Sequence, residues 1–148
     1  MNKNLFWALF GFGFVFFIVD NAAAHCEIPC GIYDDEARIA MLLENTATIE
    51  KSMIQIIELE KEEHHHSNQL IRWVINKENH ADALQEIVTQ YFMTQRIGLD
   101  TKEYDKKLGL LHQMLIYSMK CKQTTDLSHV NKLRSLVKEF QVLYFEGK

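Results

Sequence analysis

The chain has 148 residues, with seven histidines, three cysteines, one proline and a formal net charge of −4. This length suits one compact domain behind a leader, and the scarcity of proline and glycine leaves little room for a loop-rich β fold. The negative net charge argues against nucleic-acid binding. Three cysteines cannot form a disulfide framework without one left over.

The first 24 residues form a predicted signal peptide. Lys3 supplies a positive charge, residues 5–19 are continuously apolar, and Ala22-Ala23-Ala24 matches the small-residue pattern of a cleavage site. The apolar run of about 15 residues is shorter than the about 20 of a transmembrane helix, which argues against the alternative of an uncleaved anchor. We expect cleavage after Ala24 by signal peptidase or another maturation protease. Export to the periplasm or the extracellular space, without a stable membrane anchor, would follow.

Cleavage at that point makes His25 the first mature residue and gives it a free α-amine. The amine and the Cys26 amide nitrogen close one five-membered chelate ring on a metal ion, and that amide and the Cys26 thiolate close a second. The His25 imidazole can approach from one side, and the Cys30 thiolate can return if Pro29 bends the chain. Such a planar set favours Ni(II) or Cu(II) over structural zinc, which prefers a tetrahedral set. Because two thiolates would reduce Cu(II), nickel is the better candidate.

The stretch at residues 25–33, HCEIPCGIY, resembles the metal hook at the mature N-terminus of the nickel superoxide dismutases, His-Cys-x-x-Pro-Cys-Gly-x-Tyr. The resemblance implies one nickel ion per subunit, with His25, Cys26 and Cys30 as metal ligands and the His25 imidazole axial in the oxidised state. It also implies conversion of superoxide to O2 and H2O2 by Ni(II)/Ni(III) cycling. The residues alone also allow zinc or incidental metal binding at this terminus.

Further roles follow from the same resemblance. Tyr33 would stand over the open metal face, limit access and hold small anions, which adds it to the ligands as a catalytic residue; the alternative is a packing role. Tyr91 corresponds to a second tyrosine that packs near the first. Apart from the resemblance, the residue types indicate that Gly31 permits a tight backbone or a close approach to a ligand, and that Pro29 bends the chain through a cis peptide bond or a simple turn.

One departure from the family pattern concerns the axial histidine. In well-known members a carboxylate on the first helix and an arginine on the second hydrogen-bond to it, and the corresponding positions here are Ala40 and His80. Because such partners tune metal ligands strongly, we expect a different axial contact and redox potential. Glu44 or His80 itself are the candidate substitutes.

Four helices are predicted after the hook. Asp34 and Asp35 suit a helix start, and apolar residues then recur every three or four positions to about Glu63. A second helix is expected from Ser67 or Asn68 to a stop at Gly98. Its inner side is predicted to carry Leu70, Ile71, Val74, Ile75, Ala81, Leu84, Ile87, Val88 and Tyr91.

The third helix is predicted to be capped by Asp100 or Thr101, and Thr124-Thr125-Asp126 to form the turn and cap before the last helix. These elements predict an all-α fold, an antiparallel up-down four-helix bundle over residues 34–148, behind a hook at 25–33 and a signal peptide at 1–24. The resemblance implies assembly into a homohexamer in which the hook packs against neighbouring subunits. Cys121 is predicted to be a core residue.

The sequence allows three candidate functions. The first is an exported nickel superoxide dismutase. The second is a metal-binding or metal-delivery helical protein without turnover, and the third is a redox or purely structural bundle with a CxxxC pair. Tyr33 and Gly31 favour the enzyme over the carrier, because a carrier needs no gate. His25 at the cleavage point disfavours the third function.

Overall fold

The computed structural model describes residues 29–62 and 66–146. Over these ranges the regular secondary structure is entirely helical: α1 is Asp35–Leu59, α2 is Ser67–Glu86, α3 is Tyr104–Gln123 and α4 is Leu127–Glu146. Helix α2 continues directly into a π-helical segment, Ile87–Arg96. The chain divides into two units, Met1–Cys30 and Gly31–Lys148, and all these helices belong to the second. The predicted signal peptide and the hook residues His25 and Cys26 lie outside the described residues.

Neighbouring helices run antiparallel, because the contacts between them pair rising residue numbers on one helix with falling numbers on the next. Between α1 and α2 these contacts are Asn45–His80 and Ser52–Asn76, and between α2 and α3 they are Lys77–Lys122 and Gln85–Leu115. Between α3 and α4 they are Lys107–Tyr144 and Tyr117–His129, and between α1 and α4 they are Asp35–Tyr144 and Glu50–Arg134. Each helix therefore packs on the next, and α4 closes back on α1. The predicted all-α four-helix bundle is confirmed.

The core follows the predicted apolar stripes. The α1 stripe at Ile39, Leu42, Ile49 and Met53 is fully buried, as three- and four-residue spacing requires of one helix face. It meets buried residues of the other elements, among them Leu84, Val88, Phe92, Leu111, Met114, Leu133, Val137 and Phe140. Burial of this apolar surface is the main driving force for the bundle.

The prediction for the first turns of α2 was wrong. Ile71, Val74 and Ile75 were expected to face inward, yet they are 58%, 37% and 52% exposed. The reason lies in the length of α3. The Lys77 ammonium donates a hydrogen bond of 2.6 Å to the carbonyl of Lys122, at the end of α3. The turns of α2 before Lys77 therefore project beyond α3.

Two of the predicted helix caps are confirmed and one is wrong. Asp34 accepts a hydrogen bond of 2.9 Å from the Ala37 amide, and Asp126 accepts one of 2.9 Å from the Ser128 amide. Helix α3, however, begins at Tyr104 after Glu103, whose φ is 60°. The predicted cap residues, Asp100 and Thr101, lie earlier, in a turn closed by the Thr101 amide on the Gly98 carbonyl.

Helix α1 ends at Leu59, four residues before the predicted end, and the π-helical segment ends two residues before the predicted stop at Gly98. In residues 29–62 and 66–146, no helix combines the length and apolar character needed to cross a membrane.

Candidate active site at the start of the first helix

The segment that leads into α1 carries the part of the hook that the structure describes. Cys30 is exposed and not in a disulfide. Gly31 has a φ of 80°, in the left-handed region where a side chain costs about 1–2 kcal/mol. This φ agrees with the first of the two predicted uses of glycine here, a tight backbone. Within the described ranges no three His, Cys, Asp or Glu side chains are grouped to hold a metal ion. His25 and Cys26 lie outside these ranges, and the ligand set stays a prediction.

Tyr33 is held by two side chains from the π-helical segment. The Arg96 guanidinium lies over the Tyr33 ring, with its central carbon 4.3 Å from the ring centroid. The Tyr91 ring meets that of Tyr33 edge-on, with centroids 6.0 Å apart and planes at 78°. The predicted packing of the two tyrosines is confirmed. Tyr33 remains 40% exposed, so it has one side ordered by the bundle and another open to solvent.

Asp35, the first residue of α1, organises this end of the bundle. Its carboxylate accepts hydrogen bonds from Arg96 Nε and Nη2, both at 2.8 Å. It also accepts bonds from the hydroxyls of Tyr91, at 2.7 Å, and Tyr144, at 3.0 Å. The Asp35 side chain is 8% exposed and that of Arg96 23%. A buried charge needs such compensation, and these bonds tie α1, the π-helical segment and α4 together.

Tyr91 keeps its proton in this network. Burial and the hydrogen bond to Asp35 raise the pKa of the Tyr91 hydroxyl well above its usual value of 10.0. The same carboxylate raises the pKa of Arg96 above its already high ordinary value. At neutral pH the Tyr91 phenol is therefore neutral and donates to the Asp35 carboxylate, beside the Arg96 guanidinium and the Tyr144 hydroxyl.

The π-helical register brings Tyr91 and Arg96 to the same carboxylate. In an α-helix with 3.6 residues per turn, residues five apart point about 140° away from each other. In a π-helix the i→i+5 hydrogen bond places them one above the other. The Ile97 amide donates to the Phe92 carbonyl at 2.9 Å, and the side chains of Thr94 and Gln95 bond to carbonyls five residues back.

The model of the family described as nickel-containing superoxide dismutase matches residues 20–148. This chain belongs to that family. Comparisons with curated proteins and with solved structures gave no match. The matched range includes residues 25–33.

Ala40 and His80, which the resemblance places at the positions of the family's carboxylate and arginine, lie elsewhere along the helices. Ala40 is exposed, as is Glu44, and His80 is half-buried with its Nδ1 2.7 Å from Asn45 Oδ1. His80 precedes Tyr91 by 11 residues, about 16–17 Å along an α-helix. The structure thus pairs His80 with Asn45 and does not bring it to Tyr33.

Replacing His80 with alanine is expected to reduce the free energy of unfolding by about 1–3 kcal/mol, because Asn45, 8% exposed, loses its partner. Glu44→Gln on the exposed face should change it by less than about 0.5 kcal/mol. Urea denaturation measures both values.

Dismutation rates of the same variants test whether either side chain substitutes for the family's carboxylate–arginine pair. Unchanged rates in both variants would refute that hypothesis.

The remaining described cysteine is a core residue, as predicted. Cys121 is fully buried, and burial raises the pKa of its thiol to about 11. In reduced, metal-free protein at pH 8, we expect iodoacetamide to modify Cys30 and leave Cys121 unmodified until denaturant is added, since the thiolate is the reactive form. Mass spectrometry of peptides gives the answer, and modification of Cys121 in the folded protein at the rate of Cys30 would contradict it.

The sequence did not identify Arg96 and Tyr144 as residues of the site. It also did not indicate the role of Asp35 as their shared hydrogen-bond acceptor. Asp35 was assigned to the helix start, where an acidic residue needs no other explanation. Its partners lie 61 and 109 residues away. The pattern of the last helix predicts that Tyr144 faces inward, but it does not indicate which residue the Tyr144 hydroxyl contacts.

Proposed function

We propose that this protein is an exported superoxide dismutase that uses one nickel ion per subunit, bound by His25, Cys26 and Cys30. The observation that carries the proposal is the family match, because residues 20–148 include every proposed ligand. The proposed ligands are the α-amine and imidazole of His25, the amide nitrogen and thiolate of Cys26, and the Cys30 thiolate. Superoxide is the substrate, and two superoxide ions with two protons give O2 and H2O2.

The described residues fit this assignment. Cys30 presents an exposed thiol, and the positive φ of Gly31 turns the chain directly after it. The imidazole of His25 is a donor type that suits nickel, and the α-amine of His25 and the amide of Cys26 would add further nitrogen donors. When bound, nickel supplies the one-electron exchange between its divalent and trivalent states. The protein must supply anionic donors that favour the higher state, and Cys26 and Cys30 fill that role.

Tyr33 is the proposed gate. Its ring is ordered on one side by Arg96 and Tyr91 and open on the other. A phenol hydroxyl can donate a hydrogen bond to a small anion, so Tyr33 can orient superoxide or retain peroxide while its ring limits entry of larger molecules. This role requires a fixed ring.

Processing belongs to the same proposal. Cleavage after Ala24 creates the α-amine of His25, and a retained leader would block it. A homohexamer, with each hook packed against neighbouring subunits, would order this terminus further. Metal loading during export would protect Cys26 and Cys30 from oxidation to a disulfide.

Native mass spectrometry of protein recovered after export tests the proposal. A chain that begins at His25, carries one nickel per subunit and dismutates superoxide supports it. A chain that retains residues before His25 lacks the amine ligand and refutes it. A correctly cleaved chain that binds metal without turnover would be a delivery protein, and a metal-free chain with a Cys26–Cys30 disulfide would be the redox alternative.

A further inference from the structure

The two contacts that order the Tyr33 ring lead to one carboxylate. Arg96 covers the face of the ring and Tyr91 meets it edge-on. Arg96 donates two hydrogen bonds to Asp35, and Tyr91 donates one. Tyr33 itself comes two residues before Asp35 in the chain. The gate residue is therefore connected to the bundle through side chains that Asp35 holds.

We propose that Arg96 is the positioning residue of Tyr33: Asp35 fixes the plane of the guanidinium, and the guanidinium fixes the plane of the Tyr33 ring. The inference about geometry stands on the described contacts. Its consequence for catalysis rests on the function proposed above, in which Tyr33 is the gate.

The chemistry of arginine explains why this residue type suits the role. A guanidinium bound to both oxygens of a carboxylate has a defined plane, and the two parallel bonds are stronger than neutral ones. A planar cation also stacks favourably on an aromatic face. A lysine ammonium carries the same charge but is not planar. It could therefore neutralise Asp35 without fixing the orientation of the Tyr33 ring.

The π-helical segment allows Tyr91 and Arg96 to contact Asp35 at the same time. Tyr91 and Arg96 are five residues apart, the spacing that a π-helix places on one side. Both can therefore bond Asp35 while they contact two different parts of the Tyr33 ring. Single π-helical turns recur at functional sites, and here the segment ends at the positioning residue itself.

The test measures the ring of Tyr33 in reduced, metal-free protein. The chain has five tyrosines, so NMR spectra of protein with 13C-labelled tyrosine rings are simple, and Tyr33→Phe identifies the Tyr33 signals. The variants are Arg96→Lys and Arg96→Met. Arg134→Met is the matched control. Arg134, on α4, also donates two hydrogen bonds to one carboxylate of α1, that of Glu50, as Arg96 does to Asp35.

We expect the Tyr33 signals to move toward those of an exposed tyrosine in Arg96→Met and in Arg96→Lys, and to stay in place in Arg134→Met. Unchanged Tyr33 signals in a folded Arg96→Lys protein overturn the proposal, even if Arg96→Met fails to fold. Equal movement in Arg134→Met also overturns it, because the effect would then be general loosening of the bundle.

A second readout separates this inference from the proposed function. Nickel-loaded Arg96→Lys is expected to lose about tenfold in dismutation rate, at the lower end for a residue that orients groups at a metal site. If the unmodified protein shows no dismutation, the proposed function fails while the NMR result still decides the role of Arg96. If dismutation is normal in the unmodified protein and Tyr33 does not move in the variants, only the positioning role fails.

Discussion

A nickel-loaded His25→Ala variant is expected to lose more than about 100-fold in superoxide dismutation rate while its bundle stays folded. Loss of a residue that only supports a metal ligand costs about 10–100-fold, and His25 is proposed to be a ligand itself. The variant keeps the terminal amine, Cys26 and Cys30, so it can still bind metal. What it loses is the imidazole, which would help to hold the nickel ion.

The measurement compares dismutation rates at equal nickel content, with mass spectrometry to verify cleavage after residue 24 and circular dichroism to verify the fold. His112→Ala is the control, since His112 is an exposed histidine on α3. A His25→Ala protein that is correctly cleaved, loaded and fully active would show that the imidazole has no part in turnover. Equal losses in His112→Ala would show that the effect is not specific to the hook.

Replacing Asp35 with alanine is expected to reduce the free energy of unfolding by about 3–5 kcal/mol. Removal of one partner from a buried ion pair leaves the other charge uncompensated, and here two tyrosine hydroxyls lose their acceptor as well. This cost is a large fraction of the total stability of a typical domain, about 5–15 kcal/mol.

Glu50→Ala is the matched control for Asp35→Ala. Glu50 also binds an arginine through two hydrogen bonds, to Arg134, but these side chains are 30% and 28% exposed, and pairs near solvent contribute about 0–1 kcal/mol. Urea denaturation of both variants gives the comparison. Equal costs would show that burial of the Asp35 network adds nothing to stability.

Much of the fold could be read from the sequence because helix periodicity is local. The stripe from Ile39 to Met53 and the caps at Asp34 and Asp126 depend on residues within one or two turns. The exposure of Ile71 and Ile75 could not be read in the same way. It depends on where α3 ends relative to α2, which is a property of the assembled bundle.

The site was predictable only in part. The hook motif and Tyr33 are contiguous in the chain, and the partnership with Tyr91 came from the family resemblance. The Asp35 network joins residues far apart in sequence. Arg96 reaches it through a π-helical register, whereas in an α-helix Arg96 would point about 140° away from Tyr91. A pattern based on 3.6 residues per turn could not place Tyr91 and Arg96 together.

The contact between Tyr144 and Asp35 makes the completion of the site depend on how the chain folds. It spans 109 residues, and contacts of such separation carry a large entropic cost before they form. Tyr144 lies in the last turn of α4, where helices fray most readily. The Asp35 network is therefore complete only when the last turn of α4 has docked on the start of α1.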